Sequence, residues 1–388
     1  MSPLKIGVVG FGLRSSLWTY AHRPDRGTAV TAICDTDQRG RTDAARARPD
    51  ALITNHLDQL LASGIEAVLV LTPDHQHRPV AVAALHAGLT VFCEKPLATT
   101  IADCDAILAA AYETRSRLYV GHNMRHMPVV TQLRDLITSG RVGDVKAVWC
   151  RHFVGHGGDF YFKDWHADRR NSTGLLLQKG AHDIDVIHWL AGGFTASVAA
   201  MGQLAVYGGI EDRRDRVGER MTDWYSLDNW PPDRLTGLNP VVDVEDLSMM
   251  LMQLDNGAQA TYQQCHFTPD YWRNYTAIGT EGRLENFGDT PGGRIGLWNR
   301  RHAGWAQPDE TVIIGGDAAG HGGADEIMIS EFIRFAREGG PTQTSPIAAR
   351  QAVAAALVAT ESLRTTRAAL PVPPMDPAVV AYFDGGQA

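Results

Sequence analysis

The first 120 residues alternate between short apolar runs and helical patterns, and this alternation restricts the fold more than any other feature. Helical patterns such as Arg78–Ala87 and Ile101–Thr114 separate the apolar runs. Runs without polar alternation are typical of strands covered on both faces, so we predict a parallel sheet in a doubly wound α/β domain. The predicted strands are Leu4–Val9, Ala29–Cys34, Ala67–Leu71, Leu89–Cys93 and Leu118–Val120.

The pattern changes after residue 122, where longer strands joined by hairpins predict a large open, mostly antiparallel sheet. Asp255-Asn256-Gly257 is a strong hairpin signal. We therefore predict two domains, 1–122 and 123–388, with an irregular insertion at about 208–243 in the second. The later predicted elements are strands at Val145–Phe153, Val198–Tyr207, Leu247–Leu254, Ala258–Phe267, Asn274–Ile278 and Arg283–Phe287, then helices at Asp325–Glu338 and Pro346–Arg364.

Composition excludes several classes of protein. A chain of 388 residues exceeds one ordinary core, and its net charge of −8 argues against nucleic acid or an anionic membrane as a partner. No window reaches the roughly 20 apolar residues of a spanning helix, and a strand that begins by Leu4 leaves no room for a signal peptide. The five cysteines form no disulfide framework, so we expect a cytoplasmic protein with free thiols.

A glycine-rich loop follows the first predicted strand and predicts dinucleotide binding. Asp35 ends the second strand, where a carboxylate binds the ribose hydroxyls of the adenosine half and repels a 2′-phosphate. We therefore predict NAD as the cofactor, although Arg39 and Arg41 leave NADP as an alternative and the glycine motif alone is weak. Gly10 allows the tight turn, and Gly12 lets a pyrophosphate approach the next helix. The loop residues assigned to the cofactor are Gly10, Phe11, Gly12, Leu13, Arg14 and Ser15.

Two more segments follow predicted strands at the same edge of the sheet. Ligands of a doubly wound sheet bind beyond the carboxyl ends of its strands. A lysine beside a cationic nicotinamide has a lowered pKa and can exchange a hydrogen bond with a reacting hydroxyl. Lys95 is therefore a candidate catalyst, the alternative being a surface ion pair with Glu94. The cofactor residues predicted here are Thr72, Pro73, His77, Glu94, Lys95 and Pro96.

The chain resembles the glucose–fructose oxidoreductase/inositol dehydrogenase (Gfo/Idh/MocA) family. The resemblance implies an N-terminal Rossmann domain, a second α/β domain that often forms dimers or tetramers through its sheet, and NAD(P)-dependent oxidation or reduction of sugars and cyclitols. It also implies that Lys95 lies between nicotinamide and substrate and that the Lys95–Pro96 bond is cis. The matching stretches are GVVGFG at 7–12, CD at 34–35, TPDHQH at 72–77, AGLTVFCEKPLATT at 87–100, KGAHDID at 179–185 and YTAIGTEGRLENFGD at 275–289.

Residues 174–193 predict a helix that carries the proton acceptor. The pattern places a helix from about Leu176 to Leu190, with Gln178, His182, Asp185 and Trp189 on one side. A histidine with a pKa near 6.5 suits proton removal from an alcohol, and the resemblance assigns this acid/base role to His182.

The neighbours of His182 are predicted to bind the substrate. Gln178 stands where inositol dehydrogenases of the family have an aspartate, and a glutamine can hydrogen-bond a hydroxyl but not share a proton. Lys179 would add positive charge to the pocket, and Asp185 would contact the substrate or orient a neighbour.

Other candidates come from loops. Asn123 and Arg125 leave the last strand of the first domain, Asn123 toward the cofactor and Arg125 toward the substrate. Trp165 and Asp168 suit a sugar, with an indole against its ring and a carboxylate on its hydroxyls. The histidines show no paired metal-ligand spacing, so we predict no metal.

These features predict an NAD-dependent dehydrogenase for a secondary hydroxyl of a sugar, sugar derivative or cyclitol, with Lys95 and His182 as catalytic pair. We expect a homodimer or homotetramer with no nucleic-acid or membrane partner. Two alternatives stay open: an NAD-dependent glycosidase that oxidises its sugar only transiently, and a non-catalytic sensor of NAD or sugar.

Overall fold

The computed structural model describes residues 3–316 and 320–387, which form two compact units. The second unit comprises Met124–Ala324 and Gln351–Pro373. The first comprises Met1–Asn123, Asp325–Arg350 and Pro374–Ala388. The chain thus returns twice to its first unit after residue 122, where the sequence places a domain boundary.

The elements are numbered in chain order. The strands are β1 (Leu4–Val9), β2 (Thr28–Cys34), β3 (Leu52–Thr54), β4 (Ala67–Val70), β5 (Thr90–Cys93), β6 (Leu118–Val120), β7 (Val145–Val154), β8 (Thr195–Gln203), β9 (Leu247–Leu254), β10 (Gln259–Cys265), β11 (Tyr271–Gly279), β12 (Arg283–Phe287), β13 (Arg294–Trp298), β14 (Glu310–Ile313) and β15 (Leu370–Pro371). The helices are α1 (Trp18–Ala21), α2 (Gln38–Ala47), α3 (Leu57–Leu61), α4 (His77–His86), α5 (Ile101–Thr114), α6 (Pro128–Thr138), α7 (Arg169–Ser172), α8 (Leu175–Gln178), α9 (Gly180–Ala191), α10 (Ala324–Glu338), α11 (Pro346–Arg364) and α12 (Pro377–Asp384).

The first unit contains a parallel sheet in the order β3-β2-β1-β4-β5-β6. All five predicted strands are confirmed to within one residue at each end, and only β3 was not predicted. Helix α10 covers the sheet, since Phe332 packs edge-on against Phe92 at 5.5 Å and against Tyr119 at 5.8 Å between ring centres. Burying such a ring stabilises the unit by about 1.5–3 kcal/mol, which explains why the late helix belongs to the first unit.

The second unit contains a nine-stranded sheet in the order β14-β13-β12-β11-β7-β10-β9-β8-β15. All its neighbours are antiparallel except β7 and β10, so the predicted mostly antiparallel sheet is confirmed. The hairpin at Asp255-Asn256-Gly257 joins β9 to β10 as predicted. Strand β8 lies at Thr195–Gln203, earlier than the predicted Val198–Tyr207.

The two faces of this sheet differ in polarity. Helix α9 packs against β7 and β10 on one face. The opposite face is exposed and partly apolar, and its register aligns Trp149, Thr261 and Leu251 across three neighbouring strands. A groove of about 400 Å³ runs along this face.

Two predictions about irregular segments have different outcomes. Residues 208–243 form no helix or strand other than short 3₁₀ turns, as predicted. The single helix predicted over Leu176–Leu190 is wrong, because the chain forms α8 and α9 with a break at Lys179. The break coincides with a close approach, since a Cβ on Gly180 would lie 2.9 Å from the ring of Tyr262. None of the described helices is long and apolar enough to cross a bilayer.

Candidate active site

The turn after β1 has the glycines that a dinucleotide loop requires. Gly10 has φ +92°, and a Cβ there would lie 2.8 Å from the backbone of Leu71, so no other residue fits. A Cβ on Gly12 would meet nothing within 4 Å, which leaves the space that a pyrophosphate needs. The helix expected after the loop is short, a 3₁₀ turn over Leu13–Leu17 followed by α1.

Asp35 is held at the end of β2 beside this turn. Its Oδ2 accepts a 2.6 Å hydrogen bond from the N–H of Phe11, and its Oδ1 accepts one of 2.8 Å from the N–H of Asp37. The Arg41 guanidinium donates to the carbonyls of Asp35 and Thr36 at 2.9 and 2.8 Å. The carboxylate and the open loop fit NAD, and backbone carbonyls hold the Arg41 guanidinium beside them.

The loops after β4 and β5 are joined by His77. Its ring is buried, with Nε2 at 3.0 Å from the carbonyl oxygen of Thr72 and Nδ1 at 2.8 Å from that of Pro96. Both ring nitrogens of His77 therefore meet backbone oxygens, so the side chain joins the two loops, and its contact with the cofactor stays a prediction. Pro73 is exposed, and the Lys95–Pro96 bond is cis, as the resemblance implies.

Glu94 connects the glycine loop to Lys95. Its buried carboxylate accepts hydrogen bonds from Arg14 Nε at 2.7 Å and from the N–H of Lys95 at 2.8 Å. Arg14 also forms two hydrogen bonds with Asp325, at 3.0 and 3.1 Å, and Asn123 donates to the same carboxylate at 2.9 Å. The side chains of Arg14 and Asn123, both predicted to bind the cofactor, therefore bind acidic groups of their own unit.

In the second unit, Arg125 and Asp185 bind each other. Two hydrogen bonds of 2.7 Å join the guanidinium to the carboxylate, and both side chains are buried. The guanidinium also lies over the ring of Trp189, at 5.2 Å from its centre. Of the two predicted roles of Asp185, orienting a neighbour is the one that this geometry fulfils.

In the loop before α8, the two residues predicted to bind a sugar contact neighbouring residues of the same segment. Asp168 caps α7 by accepting a hydrogen bond from the N–H of Arg170 at 2.9 Å, and it also pairs with the Arg170 guanidinium. These hydrogen bonds lower the pKa of Asp168. Trp165 stacks on His166 with 3.8 Å between ring centres. The Asp168 carboxylate is thus a helix cap and an ion-pair partner, and its contact with the substrate stays a prediction.

The break between α8 and α9 gathers three predicted substrate residues. Gln178 ends α8 and His182 lies in the first turn of α9, both buried. Lys179, between the two helices, is 9% exposed and donates a 2.9 Å hydrogen bond to the hydroxyl of Tyr271. Its Nζ also lies over the rings of Tyr161 and Tyr271, at 5.9 and 5.4 Å from their centres.

Asp183, next to His182, anchors this turn and was not predicted. Its fully buried carboxylate accepts hydrogen bonds from His152 Nδ1 at 3.0 Å, Arg273 Nε at 3.0 Å and the hydroxyls of Tyr262 and Tyr275. Burial opposes ionisation, but Arg273 and His152 hold the pKa of Asp183 well below its usual range. Three strands, β7, β10 and β11, thus fix the first turn of α9.

Several buried polar atoms on β7, on β10 and just after β10 have no hydrogen-bond partner among the described residues. Burial and the nearby Arg273 lower the pKa of His152 to about 3, so its ring is neutral and Nε2 is an acceptor. Within the described part of the chain, His152 Nε2, Gln264 Nε2 and both ring nitrogens of His266 lack a hydrogen-bond partner. Buried polar groups are normally paired, so these atoms fit hydroxyls of a bound molecule or ordered water.

The insertion contributes an aromatic wall beside Lys179. The ring of His156 stacks on Tyr271 at 4.4 Å, and Tyr225 from the insertion packs edge-on against His156 at 5.5 Å. Asn229 holds the insertion in place by donating to both carboxylate oxygens of Asp159, at 3.0 and 2.9 Å. No local sequence signal distinguishes these aromatic residues.

The parallel sheet, the glycine turn and the carboxylate at the end of β2 define a dinucleotide-binding protein. The family model described as "Oxidoreductase family, NAD-binding Rossmann fold" matches residues 4–122, and the Gfo/Idh/MocA C-terminal domain matches residues 130–285. The chain belongs to the Gfo/Idh/MocA family and is an NAD-binding oxidoreductase.

Similar proteins agree with this assignment. Inositol 2-dehydrogenase 1 of Saccharopolyspora erythraea is 32% identical over 48% of this chain and 54% of its own length. The 1-carboxy-3-chloro-3,4-dihydroxycyclohexa-1,5-diene dehydrogenase of Comamonas testosteroni is 30% identical over 51% of this chain and 50% of its own. The chain thus spans about half the length of these curated relatives. Levoglucosan dehydrogenase, solved with NADH and levoglucosan, has the same fold with a TM-score of 0.77 at 20% identity, covering 96% of this chain and all of that one.

Proposed function

We propose that this enzyme oxidises a secondary hydroxyl of a sugar, sugar derivative or cyclitol, or reduces the corresponding ketone, with Lys95 and His182 as its catalytic pair. The observation that carries the proposal is the Glu94 carboxylate, which binds both Arg14 of the glycine loop and the N–H of Lys95. A catalytic lysine must be held in place relative to the cofactor loop, and this contact does so.

Each side chain has a separate part in the proposed reaction. When bound, NAD supplies the acceptor for the hydride of the carbinol carbon. His182 accepts the proton of the hydroxyl, and Lys95 hydrogen-bonds the same oxygen and stabilises its developing negative charge. Asp183 supports this role of His182, because its four hydrogen bonds fix the turn on which His182 lies.

The proposed substrate class has support from the polar interior of the second unit. Unpartnered atoms of His152, Gln264 and His266 suit a ligand rich in hydroxyls. The similar proteins named above act, by their names, on inositol, on levoglucosan and on a carboxylated cyclic diol. We further propose that the enzyme is cytoplasmic and works as a homodimer or homotetramer.

The test is a panel of monosaccharides, anhydrosugars, glycosides and inositols with NAD or NADP, followed by absorbance of the reduced cofactor. Lys95→Met and His182→Ala should each lower turnover on the better substrates by roughly 10²–10⁴. Lys146→Met on β7 and His86→Ala on α4 change exposed residues of the same types and should be silent. Near-normal turnover of Lys95→Met or His182→Ala would remove that residue from the pair.

The same panel separates the two alternatives. A glycosidase that oxidises its sugar transiently would release an aglycone without net reduced cofactor, which product analysis detects. A sensor would bind NAD and sugar without converting either. Each outcome would replace the dehydrogenase proposal.

A further inference from the structure

Lys179 is a buried cation without an acidic partner. Its side chain is 9% exposed, and its hydrogen-bond partner is the hydroxyl of Tyr271. Among residues 3–316 and 320–387, no carboxylate forms an ion pair with it. Removing a cation from water is costly unless an anion compensates, so a buried lysine in this state calls for a counter-ion.

The carboxylates near Lys179 already have cationic partners. Asp183 is paired with Arg273 at 3.0 Å and with His152, and Asp289 is 3.5 Å from the same Arg273. Asp159 is paired with Lys163 at 2.5 Å. The positive charge of Lys179 is therefore not cancelled by these acids.

The pKa of Lys179 depends on the two tyrosines beside it. Burial lowers this pKa, and the negative charge that Tyr161 and Tyr271 carry when ionised raises it overall. Tyr271 itself has a pKa lowered to about 8, because Lys179 and Arg273 outweigh the opposing effect of burial. At pH 7 both tyrosines are mostly protonated, so they solvate the ammonium group without neutralising it.

Aromatic side chains lead from Lys179 toward more exposed residues. Tyr271 is 39% exposed, and its hydroxyl accepts the hydrogen bond of the ammonium group. His156 and Tyr225 continue the wall outward. Flat aromatic faces suit a ring-shaped ligand, whose anionic substituent would then point inward to Lys179.

We infer that the substrate carries a carboxylate, which pairs with Lys179 and supplies the missing counter-charge, so that the ligand is a sugar acid or a carboxylated cyclic polyol. A carboxylate matches one ammonium group and the adjoining tyrosine hydroxyls. A doubly charged phosphate would need further cationic donors, and Arg273 is already bound by Asp183 and Asp289. This inference rests on the proposed function, because it names the substrate class of the same site.

The experiment compares compounds that differ in one group. Binding of D-glucuronate and D-glucose, of D-galacturonate and D-galactose, and of quinate and myo-inositol is measured by calorimetry on the full-length protein saturated with NADH. We expect the acid of at least one pair to bind at least tenfold more tightly than its neutral partner. Lys179→Gln should remove this preference and change the affinity for the neutral partner less than threefold.

Two variants control the comparison. Lys146→Gln removes an exposed lysine of the same unit and should leave the preference unchanged. Lys179→Arg keeps the charge and should keep part of the preference. If Lys179→Gln does not fold, the wild type and Lys179→Arg still test the inference, because equal binding of an acid and its neutral partner would overturn it.

The other outcomes are also decisive. Failure of every acid to bind, or a preference that survives in Lys179→Gln, overturns the inference. Tighter, Lys179-dependent binding of glucose 6-phosphate than of any acid overturns the carboxylate in favour of phosphate. Acid binding without any reduced cofactor formed from NAD would leave this inference standing while the proposed dehydrogenase activity fails.

Discussion

Asp35 binds the backbone of Phe11, 24 positions earlier in the chain, through a 2.6 Å hydrogen bond to its Oδ2. The contact joins the end of β2 to the glycine turn after β1, so it holds together the carboxylate predicted to bind the ribose and the loop predicted to bind the pyrophosphate. A Cβ on Gly40 would lie 2.5 Å from the same carboxylate oxygen, so the first turns of α2 also depend on this arrangement.

Substituting the two loop glycines should separate folding from cofactor binding. Gly12→Ala should leave the melting temperature unchanged, since its Cβ meets nothing within 4 Å, but should weaken NADH binding at least tenfold by filling the expected pyrophosphate space. Gly10→Ala should destabilise the fold by about 1–3 kcal/mol or more, because its φ is +92° and the Cβ would contact Leu71. Thermal denaturation and NADH fluorescence titration measure both effects, and an unchanged NADH affinity for Gly12→Ala would contradict the cofactor placement.

Removing the charge of Glu94 should impair turnover more than stability. Glu94→Gln weakens the hydrogen bonds to Arg14 and to the N–H of Lys95, while Arg14 keeps its contacts with Asp325. We expect turnover to fall by roughly 10- to 100-fold, as small misplacements of catalytic groups do. Steady-state kinetics measure the loss. Glu66→Gln, which changes an exposed glutamate of the same unit, is the control, and equal turnover of the two variants would show that Glu94 does not position Lys95.

Affinity for a carboxylated ligand should fall as the pH rises through about 8. Tyr271 ionises there and becomes an anion beside Lys179, so it cancels the charge that the ligand needs. Below that pH the hydroxyl of Tyr271 is neutral, so the full charge of Lys179 attracts the carboxylate of the ligand. The other charged or titratable groups described around the pair are Arg273, Tyr161, Tyr225, His152, His156 and His266.

Calorimetric titration of a sugar acid into the NADH complex between pH 6.5 and 9 measures this change without turnover. Tyr271→Phe removes the titrating hydroxyl and should flatten the profile near pH 8. A wild-type affinity that is constant across the range, or an identical decline in Tyr271→Phe, would contradict the assignment to Tyr271.

The exposed face of the nine-stranded sheet should be the contact between subunits. Leu251→Glu places a charge at one end of the aligned row of Trp149, Thr261 and Leu251, and we expect it to yield a smaller species in light scattering after size exclusion. Ile313→Glu on β14 is a matched control, since both residues are 63% exposed. Either a wild-type monomer or an unchanged assembly of Leu251→Glu would contradict this contact.

The sequence predicts elements whose signal is local and misses those whose signal is distant. The five predicted parallel strands are continuous apolar runs, whereas only Thr54 of the three residues of β3 is buried. Strand β6 is equally short and also at an edge, but all three of its residues are buried. Helices α8 and α9 share one apolar pattern, so the break at Lys179 leaves no trace in the periodicity.

The residues of the candidate site also divide into those with a local sequence signal and those whose partners are distant in the sequence. The glycine turn, Asp35 and Lys95 lie beside strand ends, which a pattern of strands and loops identifies. Asp183 resembles an ordinary helical acid, because its partners Tyr262 and Arg273 are 79 and 90 positions away. Arg14 also binds Asp325, which is 311 positions away in the sequence. Only the folded chain therefore reveals that Arg14 bridges two carboxylates, those of Glu94 and Asp325.

The first unit is completed by the last part of the chain. Gln387 pairs with both backbone groups of Leu118 on the edge strand β6, at 2.8 and 2.9 Å, and α10 supplies Phe332 to the core. During synthesis, β6 is complete about 210 residues before Phe332 is made and about 270 residues before Gln387 is made, a delay of roughly 10–50 seconds at usual elongation rates. Until then the nascent sheet exposes an apolar face and an unpaired edge, both features that chaperones bind and that promote aggregation. Expression yield should therefore depend on chaperone capacity, and a fragment that ends at residue 123 should be recovered as aggregate.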